Sequence, residues 1–511
     1  MRSKIAFAFV AALGAAVAVA VACGGDDNGS TPQPDASMEG GDDSGDDCVL
    51  DNGPPPDTAP TVNCQLGDKT DPIALCTQKT ILKAILQFHV YAKGQGMPST
   101  YDSQTFVPGS DHTWQSDLAF ASSNATYHCN SAIYGDNEIT PQLDALLPDV
   151  AGLLEHELAT LPDDYDGENY FRLRNVQVGL SVDDATTDAT KVQAIADAYG
   201  SAIQSKYAQS VPAMGDGGVA GVVLGRLANG AVAYEPAKVV MGAAALLDMA
   251  QRHAGDPDAG TMPAQWQATA LAALDYVNQR ARDATTGLYF DSLVTSGDPG
   301  HDALASGDAG TLSTDVQAPI ILGLARAQDL FNQLQGQVDG GAGPDAALPT
   351  YPYWVSAQAI VAGLNTAGLW DGVSDTTSTA PGAFMEGLLA GGTVDTNKTT
   401  LGNALLFGGF HRVVYGVGSP FSYELRQLRG GIIQAMPPNT SLFSVVQGIG
   451  QMGFLRAASR DWHSAVTFSA DAGAGGPEPG ATLYRTDAMA AMIEGFTELW
   501  LGSAHSATCA F

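Results

Sequence analysis

Apolar residues recur with a helical period along most of the chain beyond about residue 72. Trp266, Ala270, Leu274, Val277 and Ala281 follow one another at spacings of four, four, three and four, which places them on one face of a helix. Read in this way, the pattern predicts about a dozen helices. They cover approximately residues 74–93, 114–123, 139–160, 185–209, 233–253, 266–281, 320–334, 352–366, 380–391, 400–416, 440–459 and 489–499.

One segment departs from the helical pattern. Residues 171–182, with the sequence FRLRNVQVGLSV, alternate in polarity and predict a short strand or an extended edge. The predicted helices are rich in Ala and Gly, and loops of Gly, Asp and Pro join them, which favours close packing of antiparallel neighbours. We therefore expect an all-α fold of stacked helical hairpins. It is either closed into a toroid or open as an irregular bundle or solenoid.

The first 22 residues are typical of a secretion signal. Arg2 and Lys4 precede an uncharged apolar run that is too short, and wrongly flanked, to span a membrane comfortably. Small residues then lead to Cys23, which resembles the lipobox of bacterial lipoproteins, although Ala20 stands where Leu is usual. The resemblance implies cleavage before Cys23 and acylation of that residue. Gly24 after the cysteine favours the outer membrane. The alternative is an ordinary signal peptide with a chance cysteine.

An acidic tether follows the signal. Residues 23–62 consist largely of Asp, Gly, Ser and Pro, without Lys or Arg, and so cannot bury enough apolar surface to fold. We therefore expect a signal peptide at 1–22, a disordered tether at 23–62 and one large helical domain at 63–511. Its partner would be outer-membrane lipid, bound through acylated Cys23. The folded part would face the periplasm or the cell surface.

The charge balance narrows the choice of partners. The chain has 511 residues, with 55 acidic against 23 basic side chains and a formal net charge of -32. Such a surface repels phosphate backbones, which proteins bind by neutralising them with Lys and Arg. We therefore expect no nucleic-acid ligand.

The cysteines and histidines indicate structural rather than redox or metal chemistry. Six cysteines are present, and with Cys23 acylated the other five could form two disulfides in an oxidising compartment, with the pairing left open. No CxxC motif is present, which argues against a thioredoxin-like site or a c-type haem. The nine histidines show no metal-ligand spacing, and HExxH, GxSxG and Walker A motifs are lacking. We expect no metal and no cofactor.

Two short motifs carry a resemblance to a known fold family. The stretch 281–290, ARDATTGLYF, follows one amphipathic helix and precedes another. It resembles the joint of six-hairpin, (α/α)6-toroid glycosidases and sugar epimerases, in which such a turn commonly ends the first helix of a hairpin. Tyr484-Arg-Thr-Asp487, leading into the segment 494–500, is similar in style to their closing helix. The resemblance implies a toroid that processes a glycan. The alternative is a generic helical protein in which Asp-Thr-Gly makes only a turn.

Glycoside hydrolysis requires two carboxyl groups at one sugar bond, one acting as an acid and the other as a base or nucleophile. By the resemblance, they would lie on loops at one end of the toroid. The adjacent Asp183 and Asp184 are the first candidates, because each carboxylate raises the pKa of its neighbour. The alternative is a helix cap with a solvated partner. Asp111 is a third candidate. Beside it, His112 could carry a proton and Trp114 could stack on a sugar, although a capped loop with a buried Trp is the alternative.

Two other polar groups stand out. Arg426 could clamp a substrate carboxylate, or simply pair with Glu424. The acidic turn 163–168 suggests a calcium loop, but Pro162 and Leu173 occupy the first and twelfth positions of the EF-hand pattern, where acids belong. We therefore expect a solvated acidic turn there.

Two classes of function remain open from the sequence. The first is a lipid-anchored, carbohydrate-active enzyme that uses carboxylate acid/base chemistry. The second is a non-catalytic helical surface lipoprotein that binds a ligand or partner. The Gly-x-His spacing at His411 resembles the signature of imelysin-like proteins, but Val414 stands where that signature has Glu, so we expect a core histidine. A concave end lined by Trp, Tyr and two carboxylates would favour the enzyme. A filled bundle would favour the binding protein.

Overall fold

The structure is a computed structural model that describes most of the middle of the chain. The described residues are 96–102, 113–134, 140–157, 164–182, 186–213, 219–298, 300–306, 310–338, 352–371, 383–389, 391–395, 398–399, 401–403, 405–406, 443–445, 453–455, 458–459, 483–487, 490–491 and 493–494. The predicted signal, the predicted tether and the cysteine side chains lie outside them, as do residues 74–93 and His411.

Long helices make up most of the described chain. They are α1 (Trp114–Tyr134), α2 (Thr140–Glu157), α3 (Gly167–Val182), α4 (Thr186–Ala202), α5 (Pro236–Arg252), α6 (Met262–Arg280), α7 (Thr314–Val338) and α8 (Pro352–Thr366). A π-helical turn, Ile203–Tyr207, extends α4, and a short 3-10 helix spans Pro257–Ala259. Further helical residues lie within 401–406 and 486–494.

The strands are short and connect the helices. They are β1 (Thr100–Asp102), β2 (Ala208–Val211), β3 (Gly221–Leu224), β4 (Arg226–Ala228), β5 (Ala231–Tyr234), β6 (Leu293–Val294), β7 (Ala303–Leu304), β8 (Leu312–Ser313), β9 (Trp370–Asp371), β10 (Ala383–Phe384), β11 (Gly387–Leu388), β12 (Val394–Asp395), β13 (Lys398–Thr399), β14 (Phe443–Val445), β15 (Gly453–Leu455), β16 (Ala458–Ser459) and β17 (Leu483–Arg485). Antiparallel β4, β5, β6 and β7 form a four-stranded sheet in that order. Asn229 and Gly230 make its first turn with positive φ angles of 53° and 83°, as a tight two-residue hairpin requires.

The helices alternate between an inner and an outer layer. Helix α5 is buried over most of its surface and packs against α3, α6 and α7, so it lies in the inner layer. Helix α6 instead buries one apolar stripe that includes Trp266, Ala270 and Leu274, as the spacing predicts, and exposes its other face. Helix α3 contacts both α1 and α5, and α5 contacts α7. These four helices therefore lie side by side in the inner layer.

The inner helices run parallel. Asn175 of α3 donates to Ser122 of α1 at 3.0 Å, and one turn later Gly179 lies against Ala125, so residue numbers rise together on the two helices. Helices α3 and α5 show the same order, because Gly167 lies against Met241 and Arg174 contacts Asp248 further along. The N-terminal ends of α1, α3 and α5 therefore lie at one end of the helical layer.

The two ends of the described chain meet beside α1. Strand β1 pairs with β17, and the backbone N–H of Thr486 donates to the Ser99 carbonyl at 3.1 Å. Further along, the Ser122 hydroxyl of α1 donates to Glu494 at 2.5 Å. The segment 483–494 thus packs against the first inner helix and closes the inner layer into a ring. We call the space inside this ring the lumen.

Three element predictions are wrong. Residues 171–182 belong to α3, not to a strand; this helix contacts α1, α4 and α5, so apolar side chains are needed on several of its sides and no single stripe results. Within 380–391 the structure has β10 and β11, and Gly387 of β11 pairs with Ser313 of β8. The described parts of 440–459 are β14, β15 and β16.

The motif 281–290 forms the expected turn. It follows α6, the outer helix that precedes the inner helix α7. The Asp283 carboxylate accepts hydrogen bonds from the backbone N–H of Thr285 at 3.2 Å and of Thr286 at 2.7 Å. Gly287 has a φ of 74°, a left-handed conformation that glycine adopts without strain. These contacts explain the Asp-x-x-Thr-Gly order.

Candidate functional site

A cluster of acidic residues lies at the end of the ring where the inner helices begin. Asp166 caps α3, because its carboxylate accepts from the Glu168 N–H at 2.9 Å. Gly167 presses against α5: a Cβ there would lie 1.9 Å from the Met241 carbonyl oxygen. Only glycine lets the acidic turn approach the neighbouring inner helix this closely.

Two tyrosines fix the position of this turn. The Tyr165 ring is 3% exposed, lies 5.2 Å from the Tyr207 ring, and its hydroxyl accepts from the Glu235 N–H at 3.1 Å. The Tyr199 hydroxyl, on the outer helix α4, donates to the Asp166 carbonyl at 3.0 Å. Backbone and side chains of neighbouring helices therefore hold the Asp166 carboxyl group in one place.

The surroundings of Asp166 favour its protonated form. Burial is the main cause, and the negative charge of Glu168 adds to it, so that the pKa of Asp166 rises to about 7. The ammonium group of Lys238 opposes the rise only in part. The turn is thus not the solvated one that the sequence predicts, because Asp166 loses water through contacts with other helices.

Glu168 is the charged partner in the cluster. Its carboxylate forms an ion pair with Arg172 at 2.7 Å, one helical turn further on. Burial alone would lower the pKa of the Arg172 guanidinium, but Glu168 and Glu494 raise it above its ordinary value. A carboxyl group with a raised pKa and a carboxyl group ion-paired with Arg172 therefore lie next to each other at the start of α3.

Glu494 reaches this cluster from the far end of the chain. Its Oε1 accepts from Ser122 at 2.5 Å and lies 3.6 Å from Arg172 Nε. Burial raises the pKa of Glu494, against the lowering effect of Arg172 and of the Ser122 hydrogen bond. The Ser122 hydroxyl of α1 also accepts from Asn175 of α3, so α1, α3 and the segment 483–494 meet at this point.

A contact across the lumen lies nearby. The Arg326 guanidinium of α7 lies 4.5 Å from the centre of the Phe171 ring of α3, with α5 between the two helices. Ser122 and Asn175 each follow the first residue of their helix by eight positions, which is about 12 Å of helix. The Glu168 and Glu494 side chains keep 20% and 18% of their surface exposed. Solvent therefore reaches carboxylates inside the lumen.

A buried network anchors the sheet at the same end of the ring. Asp302 is completely buried and accepts hydrogen bonds from the hydroxyls of Tyr234 and Tyr276, both at 2.9 Å. Arg280 adds an ion pair to the same carboxylate at 3.0 Å. Since Tyr234 ends β5 and Glu235 follows it directly, this network fixes the approach to the first turn of α5.

Of the site residues that the sequence predicts, the structure describes Trp114. It is the first residue of α1 and packs, partly buried, against the core at the end of the ring where Asp166 lies. Asp111, His112, Asp183, Asp184 and Arg426 lie outside the described residues, so their roles stay predictions. Val182, which precedes Asp183, ends α3 about 22 Å of helix away from Gly167.

The residues missed from the sequence are Asp166, Glu168 and Glu494. A recognisable signal did exist for the first two, since an Asp directly before Gly and Glu is typical of a helix N-terminus. It was overlooked because the following segment was interpreted as a strand. Glu494 has no local signal, because its partners Ser122 and Arg172 lie hundreds of residues earlier in the chain.

Two properties of the described residues bear on cofactors and membranes. Within those ranges, no three or more His, Cys, Asp or Glu side chains are grouped so that they could hold a metal ion. No helix in the described part of the chain combines the length and the apolar character needed to cross a bilayer.

Comparison with known proteins identifies the fold. No protein-family model and no curated protein matches the sequence. Among solved structures, the chain is similar to a family 76 glycoside hydrolase from a bovine Bacteroides thetaiotaomicron strain, with 11% identity, 84% of this chain and 78% of that chain covered, and a TM-score of 0.53. It is similar to an unsaturated glucuronyl hydrolase specific for heparin, with 9% identity, 84% of this chain and 97% of that chain covered, and a TM-score of 0.53. The chain is also similar to an unsaturated glucuronyl hydrolase from Streptococcus agalactiae, with 12% identity, 85% of this chain and 93% of that chain covered, and a TM-score of 0.50.

These similarities concern the fold. The chain has the all-α, (α/α)6-toroid fold of these glycosidases, which confirms the predicted fold class. The described helices α1 to α8, with α1, α3 and α5 parallel in the inner layer, are part of that toroid. The irregular bundle or solenoid, which the sequence left open, is not the fold.

Proposed function

We propose that this protein is a carbohydrate-active enzyme that hydrolyses a glycosidic bond, with Asp166 as general acid and Glu168 as its carboxylate partner. The observation that carries the proposal is the contrast between the two groups. The pKa of Asp166 is raised to about 7, while Glu168 is ion-paired with Arg172 at 2.7 Å. The toroid fold, shared with proteins described as a glycoside hydrolase and glucuronyl hydrolases, supports it.

The chemistry follows from the two protonation states. A glycosidic bond breaks when an acid protonates the leaving oxygen while a second carboxylate activates water or attacks the sugar carbon. Asp166 holds a proton near neutral pH and donates it to the leaving oxygen. Glu168 supplies the negative charge, and its ion pair with Arg172 fixes its orientation.

The first prediction concerns activity and its pH dependence. Because Asp166 must be protonated, we expect turnover to fall as the pH rises through about 7. Asp166→Asn keeps the helix cap but removes the proton, and should lower turnover by about 100-fold or more. The purified protein is incubated with a panel of bacterial and plant glycans, and products are followed by mass spectrometry.

The control variant is Asp188→Asn, which changes an acid in the first turn of the outer helix α4. It should leave turnover and its pH profile unchanged. Full turnover in Asp166→Asn would overturn the assignment. If turnover were lost instead in Asp111→Asn, Asp183→Asn or Asp184→Asn, the catalytic group would be the one predicted from the sequence. No product from any glycan would favour the non-catalytic, ligand-binding lipoprotein.

We also propose that acylated Cys23 anchors the protein to the outer membrane, facing the periplasm or the cell surface. The support is the run of small residues before Cys23, which resembles a lipobox. Cells are grown with a click-active fatty acid, and the protein is isolated and tested for label. Labelled wild type and unlabelled Cys23→Ala are expected, whereas an unlabelled wild type would overturn the anchor.

A further inference from the structure

Lys238 lies where the acidic turn before α3 meets the first turn of α5. Its Nζ atom donates to Glu235 Oε1 at 3.0 Å, at the start of its own helix. The same Nζ lies 3.9 Å from Asp164 Oδ1, in the turn that leads into α3. It also lies 5.8 Å from the centre of the Tyr165 ring, within the range of a cation–π contact. One ammonium group therefore contacts both sides of this junction.

Hydrogen bonds hold the two sides of the junction together. The Glu235 N–H donates to the Tyr165 hydroxyl at 3.1 Å, and the Tyr165 N–H donates to Asp164 Oδ1 at 2.8 Å. The Asp164 oxygen that faces Lys238 is thus oriented by its own backbone. Because the Lys238 side chain is only 29% exposed, its ammonium group stays beside the turn.

Lys238 remains positively charged while Asp166 titrates. Burial alone would lower the pKa of the ammonium group, but Asp164, Glu235 and Asp166 raise it above its ordinary value. The pKa of Asp166 lies at about 7, far below that of an ammonium group in such surroundings. Asp166 therefore gains or loses its proton beside a cation whose charge does not change.

The position of Lys238 opposes the groups that keep Asp166 protonated. Burial raises the pKa of Asp166 first, the negative charges of Glu168 and Asp164 raise it further, and Lys238 lowers it. Without Lys238, the turn would lose this cation, and Asp164 and Glu235 would keep their negative charges without it. Both changes favour the protonated form of Asp166.

Other titratable groups around the turn do not change charge in this pH range. Among the described residues they are Tyr165, Arg172 of α3, Tyr199 of α4 and Tyr207 of the π-helical turn. Burial raises the pKa of Tyr165 and of Tyr199, so both stay neutral near pH 7. The pKa of Arg172 lies above its ordinary value, so this residue stays charged.

We propose that Lys238 is a positioning residue of this site: its ammonium group ties the acidic turn to α5 and controls how readily the Asp166 carboxyl group releases its proton. The inference rests on the proposed function in so far as Asp166 is the acid of the reaction. It predicts opposite effects of two substitutions. Lys238→Met removes a cation and should raise the pKa of Asp166. Glu235→Gln removes the anion that pairs with this cation and should lower it.

NMR titration of the full-length protein tests the inference without any substrate. The aspartate carboxyl carbons are labelled with carbon-13, and the Asp166 signal is the one that Asp166→Asn removes. Its titration midpoint should rise by roughly one pH unit in Lys238→Met and fall by roughly half a unit in Glu235→Gln. Lys238→Arg keeps the charge and should restore the midpoint of the wild type.

The opposite signs separate the effect of charge from the effect of shape. Both variants break the same 3.0 Å ion pair, so a merely structural role would move the midpoint in one direction or not at all. The matched control is Lys191→Met, which removes a lysine that also contacts two acids, Glu155 and Asp188, on α2 and α4. It should leave the Asp166 midpoint unchanged.

Several results would overturn the inference. They are an unchanged midpoint in Lys238→Met, shifts of the same sign in Lys238→Met and Glu235→Gln, or equal shifts in Lys238→Met and Lys238→Arg. Circular dichroism verifies that the variants fold. If Lys238→Met does not fold, Glu235→Gln decides alone, and a midpoint that is unchanged or raised there overturns the inference.

Turnover separates this inference from the proposed function. If Asp166 is the acid, the fall of turnover at alkaline pH should move upward in Lys238→Met by the same amount as the NMR midpoint. Opposite NMR shifts together with full turnover in Asp166→Asn would leave the role of Lys238 standing and remove the catalytic assignment. Loss of turnover in Asp166→Asn with an unchanged midpoint in Lys238→Met would do the reverse.

Discussion

At the scale of single residues, the raised pKa on which we base the proposed role of Asp166 also means that its ionised form destabilises the folded protein. Its pKa rises from 3.8 to about 7, so the folded protein binds this proton more tightly than the unfolded chain does. The associated stability is fully present below pH 3.8 and is lost as the pH rises to about 7. Above that pH, a partly buried charge is kept, and the Lys238 ammonium offsets its cost only in part.

Removing that charge should therefore stabilise the protein at alkaline pH. We expect Asp166→Asn to raise the free energy of unfolding at pH 8 by about 1–2 kcal/mol, discounted for partial exposure, and to change it little near pH 4. Urea denaturation at both pH values measures the difference. Asp188→Asn, on a half-exposed position, should show no such gain. An equal effect of Asp166→Asn at both pH values would contradict the raised pKa.

Gly167 is the second residue whose substitution should change the stability of the protein strongly. In Gly167→Ala the new methyl group would meet the Met241 carbonyl, and backbone atoms cannot turn away as side chains can. We expect a loss of about 3 kcal/mol or more in the free energy of unfolding, as for an overpacked core. Gly152→Ala is the control: open space surrounds that exposed helical glycine, so alanine should stabilise by about 1 kcal/mol. Similar effects in both variants would contradict the close approach.

At the scale of elements, the sequence predicts a helix well where its apolar residues recur with a helical period, and poorly where polar and apolar residues face several partners. Helix α8 was predicted with the bounds that the structure shows, and α5 within three residues at its start. Helix α3 was missed because its neighbours surround it. When Phe171, Arg172, Arg174 and Asn175 face four different partners, polar and apolar positions alternate without a helical stripe.

The candidate site was predictable only in part for the same reason. Trp114 begins α1 at the end of the ring where Asp166 lies, and its role as a sugar platform stays a prediction. The Asp166 turn was recognised as acidic, but its burial depends on Tyr199 and on α5, which the local sequence cannot reveal. Tertiary contacts, not residue types, bury Asp166 and raise the pKa of its carboxyl group.

The contact between α3 and α5 depends on one buried carboxylate. Asp248, 1% exposed, accepts from Tyr170 at 2.5 Å and from Arg174 and Arg252 at 3.2 and 3.0 Å. We expect Asp248→Asn to cost about 3–5 kcal/mol of unfolding free energy, because it removes the buried negative charge that Arg174 and Arg252 both contact. Urea denaturation measures this.

The control for Asp248→Asn is an exposed ion pair. Lys191 is 48% exposed and pairs with Glu155 and Asp188. Lys191→Met should change the unfolding free energy by at most about 1 kcal/mol. If Asp248→Asn cost no more than Lys191→Met, the buried network would not hold the inner helices together.

At the scale of the whole molecule, the ring depends on contacts between its first and last described segments. The Thr486 hydroxyl, 1% exposed, donates to the Pro98 carbonyl at 2.5 Å. Thr486→Val removes this bond and should cost about 1–2 kcal/mol. Hydrogen exchange should then rise in both α1 and the segment 483–494, because each covers the other. A rise confined to one of them would contradict closure of the ring by this contact.

The meeting of Ser122 and Glu494 has a consequence for biosynthesis. The two residues are 372 positions apart in the chain, and domains form as the chain emerges from its N-terminal side. Until Glu494 has been translated, Arg172 lacks one of the acidic groups that act on it, and Ser122 lacks its acceptor in the closing segment. A chain that stops before Glu494 therefore lacks the hydrogen bond that joins α1 to the segment 483–494.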